Sequence, residues 1–183
     1  MNEMKPVNLK VFRKKAQANK STFRRFLTKL EKHPSRNTAK LTATLEQETW
    51  REIDCLTCAN CCKTMTPTFT AADMKRISAH FGQTVEEFQK KWLRKEKKKD
   101  GDWLNKQEPC QFLNLSDNKC SIYAIRPADC AGFPHLRKRF SDYAHVHKQN
   151  IEYCPATYRL VEKLKMAVES NIITGNGTVG KTY

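Results

Sequence analysis

Four cysteines fall within eight residues, Cys55, Cys58, Cys61 and Cys62, in the stretch Cys55-Leu56-Thr57-Cys58-Ala59-Asn60-Cys61-Cys62. Thiols this close together constrain the fold around whatever they bind. Two intervening residues let a backbone curl so that both sulfurs face one centre, and the same spacing recurs in zinc knuckles and iron–sulfur proteins. The chain has eight cysteines, all between Cys55 and Cys154. Met1 to Lys10 holds no apolar run able to serve as a signal peptide, and no stretch approaches the ~18 apolar residues of a membrane span. A cytoplasmic, thiol-reducing setting is therefore the expectation. There, eight cysteines form a ligand set rather than a disulfide framework.

The spacing also bears on which metal. Zinc takes four tetrahedral ligands, usually from two C-x2-C pairs, and a second such pair is missing here. Three cysteines at two-residue intervals match the opening of the ferredoxin run, whose last ligand is a Cys followed by Pro. Cys154-Pro155 supplies that dipeptide far along the chain. The expected centre is a [4Fe–4S] cluster held by Cys55, Cys58, one of Cys61 and Cys62, and one remote cysteine. Zn2+ is the alternative, with eight thiolates enough for two sites. Neighbouring side chains diverge, so Cys61 and Cys62 are expected to serve two centres, or one of them to be a reactive or buried thiol.

Around the cysteines the pattern is mainly helical. Leu9, Phe12, Ala16, Phe23, Phe26, Leu27 and Leu30 recur at helical spacing among Lys and Arg, which predicts one long or two shorter basic amphipathic helices ended by His33-Pro34-Ser35. Leu41, Leu45 and Trp50 predict another helix leading to Cys55. Thr70 with Asp73, and Thr84 with Glu87, mark two capped helix starts, and Gly82 marks a helix end between them. Cys110 to Tyr123 reads as a β-hairpin around the turn Ser116-Asp117-Asn118-Lys119, bringing Cys110 near Cys120. Ala156 to about Glu169 predicts a closing helix. The expected fold is mainly α with a short β-hairpin, a small irregular domain stapled by metal. Residues 1–40 form a basic helical N-terminal extension, 41–172 the cysteine-cluster domain and 173–183 a flexible tail.

Charge points to further site residues. Four thiolates around Zn2+ or a [4Fe–4S]2+ core leave a net charge of about −2, which favours a nearby cation or hydrogen-bond donor. Arg126, four residues before Cys130, and Lys63, next to Cys62, are placed to contact the centre, with a pairing of Arg126 to Asp129 or Asp117 as the plainer role. Tyr123 reads as a hairpin core residue. His145 and His147 would share one face of a strand and offer nitrogen ligands, as would His135 beside Pro134. Residues 1–40 carry twelve Lys/Arg against two Glu, within a net charge of +15. Residues 5–40 and 90–99 are therefore candidate surfaces for nucleic acid or an acidic protein. The rival to a metal-cluster protein is accordingly a nucleic-acid-binding module whose zinc is structural.

The stretches CLTCANCC, PCQFL, CSIYAIRPADC and GFP, in that order, resemble the YkgJ-like cysteine-cluster proteins, described as zinc- or iron-chelating and marked by CxxCxxCC. The resemblance runs from about Ile53 to Cys154 and includes Tyr123, Arg126-Pro127 and Pro134. It implies that Cys55, Cys58, Cys61, Cys62, Cys110, Cys120, Cys130 and Cys154 are all candidate ligands. Some larger relatives are linked to flagellin lysine methylation, which adds an enzyme related to protein lysine methylation as a further alternative, although the chain shows no glycine-rich nucleotide loop. Ala131 follows Cys130 where relatives often carry Arg, and the basic N-terminal arm lies outside the resemblance.

Overall fold

The computed structural model describes residues 6–34, 36–98, 100–136 and 140–174. In chain order the elements are α1 (Leu9–Lys32), α2 (Arg36–Glu52), α3 (Cys55–Cys58), α4 (Asn60–Thr64), β1 (Thr68–Phe69), α5 (Ala71–His80), α6 (Val85–Trp92), β2 (Leu93–Lys95), β3 (Trp103–Asn105), a 3-10 turn (Tyr123–Ile125), α7 (Ala128–Gly132), α8 (Ala144–Asn150) and α9 (Pro155–Thr174). The class is mainly α with a small antiparallel sheet, in line with the expectation. The tail expected over 173–183 lies outside the described residues from 175 onward, as does Ser35. The chain divides into two compact units. One is Asp54–His135 with the stretch ending at Val7; the other is Asn8–Ile53 with the chain from Leu136 on.

The second unit is helical. No Gly or Pro interrupts residues 9–32, so one continuous helix forms, α1, with the Asn8 carboxamide accepting the Val11 N–H at 3.1 Å. Its buried residues are Phe12, Ala16, Phe23, Phe26, Leu27 and Leu30. Phe12 and Phe23 pack against Tyr158 of α9 with ring centroids 5.8 and 5.1 Å apart. Pro155 opens α9, where a missing N–H is harmless, and Leu160, Val161 and Leu164 are fully buried on it. In α2 the buried stripe is Thr42, Leu45 and Thr49 rather than Leu41, Leu45 and Trp50. The threonines can be buried because each hydroxyl donates to the carbonyl four residues back, at 2.7 Å in both cases.

The first unit is built on both anticipated caps. Thr70 with Asp73 and Thr84 with Glu87 form complete capping boxes at the starts of α5 and α6. Gly82, at φ +63, takes the left-handed conformation that closes α5. The sheet has the order β1-β3-β2, all antiparallel, with Phe69 opposite Trp103 and Lys95 opposite Trp103 across the two ladders. Its hairpin turns at Asp100-Gly101, where a Cβ on Gly101 would lie 2.5 Å from the Glu96 carbonyl oxygen. The segment 110–123 forms a turn closed by the single bridge Leu113–Cys120 rather than two strands. The reason is local: Leu113 N–H bonds back to Cys110 O at 3.0 Å, so the first arm is already a turn. Phe69, Met74, Ile77, Phe88, Leu93, Phe112 and Ile122 form the core. Phe88 has no exposed surface. Phe88→Ala is expected to lower the unfolding free energy by ~3–5 kcal/mol, measurable by urea titration; a loss below 1 kcal/mol would show that this core does not hold the unit together.

Candidate metal centre

The CxxCxxCC segment is two short helical pieces joined by one unusual residue. Asp54 caps α3, its carboxylate accepting the Leu56 N–H at 2.9 Å. Ala59 then sits in the left-handed region at φ 45, ψ 20, stopping α3 and starting α4. That conformation costs an L-residue ~1–2 kcal/mol, and it persists because Ala59 is held from both sides. Its N–H bonds Cys55 O at 3.0 Å, and its carbonyl accepts from Lys63 N at 3.2 Å. Cys61 and Cys62 consequently occupy one turn of α4. Their sulfurs are 3.9 Å apart, close together where divergence was expected, because a helical backbone turns successive side chains by ~100° rather than the ~180° of a strand.

Three further segments bring thiols to this turn. Cys110 N–H donates to Cys62 O at 2.8 Å, joining the 110–113 turn directly to the cluster segment. The bridge Leu113–Cys120 and the bond from Ser121 N to Phe112 O at 2.8 Å bring Cys120 back beside it. Cys130 lies on α7, whose first turn is anchored twice. Asp73 accepts Ala128 N–H at 3.1 Å, and the Asp129 carboxylate accepts Thr68 N–H at 3.0 Å. The result is a cavity of about 200 Å3 lined by Cys55, Cys61, Cys62, Cys110, Cys120 and Cys130, with Phe69, Phe112 and Phe133 among its apolar walls. Among the described residues, no three Cys, His, Asp or Glu side chains stand close enough to grip a single ion as they are; the sulfurs ring the cavity instead. All eight cysteines are free thiols.

The sulfurs act on one another electrostatically. Cys62 is brought down to about 7, chiefly by the hydrogen bond with Cys61, with its own backbone N–H and Lys63 adding to the effect against burial. Burial pushes Cys130 up to about 12, reinforced by negative charge on Cys62, Cys110, Asp129 and Cys120. Burial likewise raises Cys110 and Cys120, and each also feels Cys62. Cys62, Cys110, Cys120 and Cys130 are thus a coupled quartet in which ionising one opposes ionising the next. A cation placed among them removes that opposition. Cys58 is buried and raised by that burial, and it feels Cys62 and Lys63 as well.

The other sequence-derived candidates divide. Arg126 lines the cavity, lies 3.9 Å over the Tyr123 ring, donates to Tyr123 O at 2.7 Å, and exerts a pKa-lowering pull on Cys120. Asp129, its anticipated carboxylate partner, is engaged with Thr68 and stands 3.9 Å from His135 Nε2. Tyr123 is 45% exposed, so it is a platform for Arg126 and not a core residue. Lys63 favours the thiolates of Cys58 and Cys62 from the last turn of α4. His145 and His147 are on a helix, α8, where a two-residue step turns them to different faces. His147 is buried, stacked on Phe140 at 4.3 Å, and His145 is exposed. Cys154 belongs to the second unit, where it is buried at the head of α9 and its sulfur accepts the Thr157 N–H at 3.4 Å.

One site residue had no sequence signal. Asn105, 1% exposed at the end of β3, points its amide N–H at Cys110 Sγ at 3.0 Å and accepts from Gln111 Nε2 at 3.1 Å. A donor on sulfur stabilises the thiolate. Asn105→Ala is expected to weaken metal retention ~10–100-fold in a chelator competition, and an unchanged affinity would remove Asn105 from the site.

No solved structure matches the chain. The family model described as "CxxCxxCC: Putative zinc- or iron-chelating domain" matches residues 54–155. That span starts at the residue capping α3 and takes in every thiol of the cavity. On this match over more than half its length, the chain belongs to the CxxCxxCC family.

Proposed function

We propose that the protein holds an iron–sulfur cluster of the [4Fe–4S] type in the cavity of the first unit, with Cys62, Cys110, Cys120 and Cys130 as its thiolates, in a redox or metal-handling role. The observation that carries this reading is the coupled quartet standing around about 200 Å3 of space. A single ion needs its ligands drawn to one point, whereas a cluster spreads them over separate irons. The donor set fits: the thiols are soft, Cys62, brought down to about 7, is partly ionised near neutral pH, and Asn105 and Arg126 offer a hydrogen bond and positive charge. Bound there, a cluster supplies one-electron chemistry. The chain's own residues set its surroundings, with Phe69, Phe112 and Phe133 limiting water and Arg126 and Lys63 balancing thiolate charge.

A specific distance favours zinc as the second reading. Two thiolates on one tetrahedral ion with bonds of about 2.3 Å are ~3.8 Å apart, and Cys61 and Cys62 stand at 3.9 Å. Protein isolated without oxygen separates the two readings. The cluster reading expects brown protein with about four iron and about four acid-labile sulfide per chain. Colourless protein carrying stoichiometric zinc would overturn it in favour of a thiolate zinc site.

A partner is also proposed for the basic surfaces at residues 5–40 and 90–99, either nucleic acid or an acidic protein. The net charge of +15 supports it. None of the described helices is long and apolar enough to cross a membrane.

A further inference from the structure

The charges on α1 are not scattered. Lys10, Lys14, Arg25, Lys29 and Lys32, with Ala18 and Ser21 between them, follow steps of three and four residues. They occupy about 100° of arc along ~33 Å of helix. All seven are exposed. The buried residues Phe12, Ala16, Phe23, Phe26, Leu27 and Leu30 take the opposite side. The helix carries one acidic residue, Glu31, which lies off the stripe and is paired with Lys148 at 2.6 Å. Lys20 and Arg24, beside the stripe, are neutralised by Glu152 at 2.7 and 2.9 Å. Among the described residues, none of the five stripe cations forms a salt bridge.

Among the described residues, Lys20 and Arg24 are thus used for internal pairing, while the row of five stripe cations faces solvent without a salt bridge and Lys15 is exposed along its edge. We propose that this row binds the phosphate backbone of double-helical nucleic acid without reading its sequence. The inference narrows the partner proposed for residues 5–40 and is independent of the metal centre.

Three features select this occupant. A straight row of positive charge on a rigid rod matches a linear polyanion, where each neutralised phosphate releases a counterion. No aromatic residue lies on the exposed face, since Phe12, Phe23 and Phe26 are all buried, so the stacking platform that single strands require is missing from it. A membrane-surface helix needs an apolar face to insert. The apolar face of α1 is occupied by the packing against α9, leaving Val11 as its exposed large hydrophobic residue.

The test uses the full chain with its metal, and fluorescence anisotropy on two unrelated duplexes of equal length across a salt series. Equal affinity for both duplexes is expected, falling steeply with salt. Replacing the five stripe cations together (Lys10→Gln, Lys14→Gln, Arg25→Gln, Lys29→Gln, Lys32→Gln) is expected to lower affinity at least ~100-fold and reduce the salt slope by about 4. Unchanged helicity and metal content would show that the variant is folded. A charge-matched control outside both basic surfaces (Arg51→Gln, Lys75→Gln, Lys106→Gln, Lys119→Gln, Lys165→Gln) is expected to keep affinity within ~10-fold of the parent. Equal losses in the two variants would assign binding to net charge and overturn the proposal. So would a parent that prefers phosphatidylserine vesicles to duplex at the same ionic strength, or one that retains neither. In each of these cases the iron or zinc content, and with it the reading of the metal centre, stands unaffected.

Discussion

Cys62→Ser is expected to empty the proposed metal centre, and Cys154→Ser to leave it filled. Cys62 is the thiol that the other three of the quartet all feel, and its pKa of about 7 makes it the readiest ligand at neutral pH. Serine keeps the shape but supplies a hydroxyl that does not ionise there, so metal content after desalting is expected to fall by ~10–100-fold or more. Because metal binding and folding of a small unit are linked, the variant is also expected to melt at a lower temperature. Cys154 acts at the head of α9, accepting the Thr157 N–H, and serine is itself a good cap. Full metal loading in Cys62→Ser, or an empty centre in Cys154→Ser, would reverse the assignment of the quartet.

Asp73→Asn is expected to destabilise the protein by ~2–4 kcal/mol at neutral pH. One carboxylate ties together three segments. It accepts Thr70 N–H at 3.0 Å and the Thr70 hydroxyl at 2.7 Å, takes Arg76 Nη2 at 2.9 Å, and holds Ala128 N–H at the base of the Cys130 helix. Arg76 extends the knot to the Arg126 carbonyl at 3.0 Å. Burial alone would raise the pKa of Asp73, but the bonds from Thr70, Ala128 and Arg76 outweigh it and hold the group below its ordinary value. A depressed folded-state pKa means that the stabilisation is complete above the unfolded value, about 3.9, and is lost as pH falls through the folded value. The stability difference between parent and Asp73→Asn is therefore expected to be constant from pH 8 to pH 5 and to shrink in stronger acid. Parent and variant are compared free of metal, so that loss of metal in acid does not enter the difference. A gap that widens below pH 4 would contradict the role given to this carboxylate.

Much of the scaffold could be read from local chemistry. Thr70 and Thr84 announce their helices because a capping box is made within four residues, and the α1 face is legible because its apolar spacing persists through six buried positions. Convergence of the thiols was harder to see. It depends on Ala59 taking a left-handed conformation that alanine does not advertise, and on a hydrogen bond from Cys110 to Cys62 across 48 residues of chain. The sheet was hidden for a related reason. Arg94 and Lys95 face solvent on β2, so the run reads as a charged break, and only Asp100-Gly101 hints at the hairpin. At Ala144–Asn150, two histidines around a valine imitate strand alternation, whereas the segment is helical and buries His147.

Thiol alkylation read by mass spectrometry, with the metal in place and after its removal by chelator, tests most directly whether these cysteines share one centre. Cys62, Cys110, Cys120 and Cys130 are expected to be protected in the loaded protein and to become reactive together once the metal leaves. Cys154, 3% exposed in the second unit, is expected to react slowly in both states. Independent reactivity of the four, or a pattern that chelation does not change, would mean that no common metal binds them.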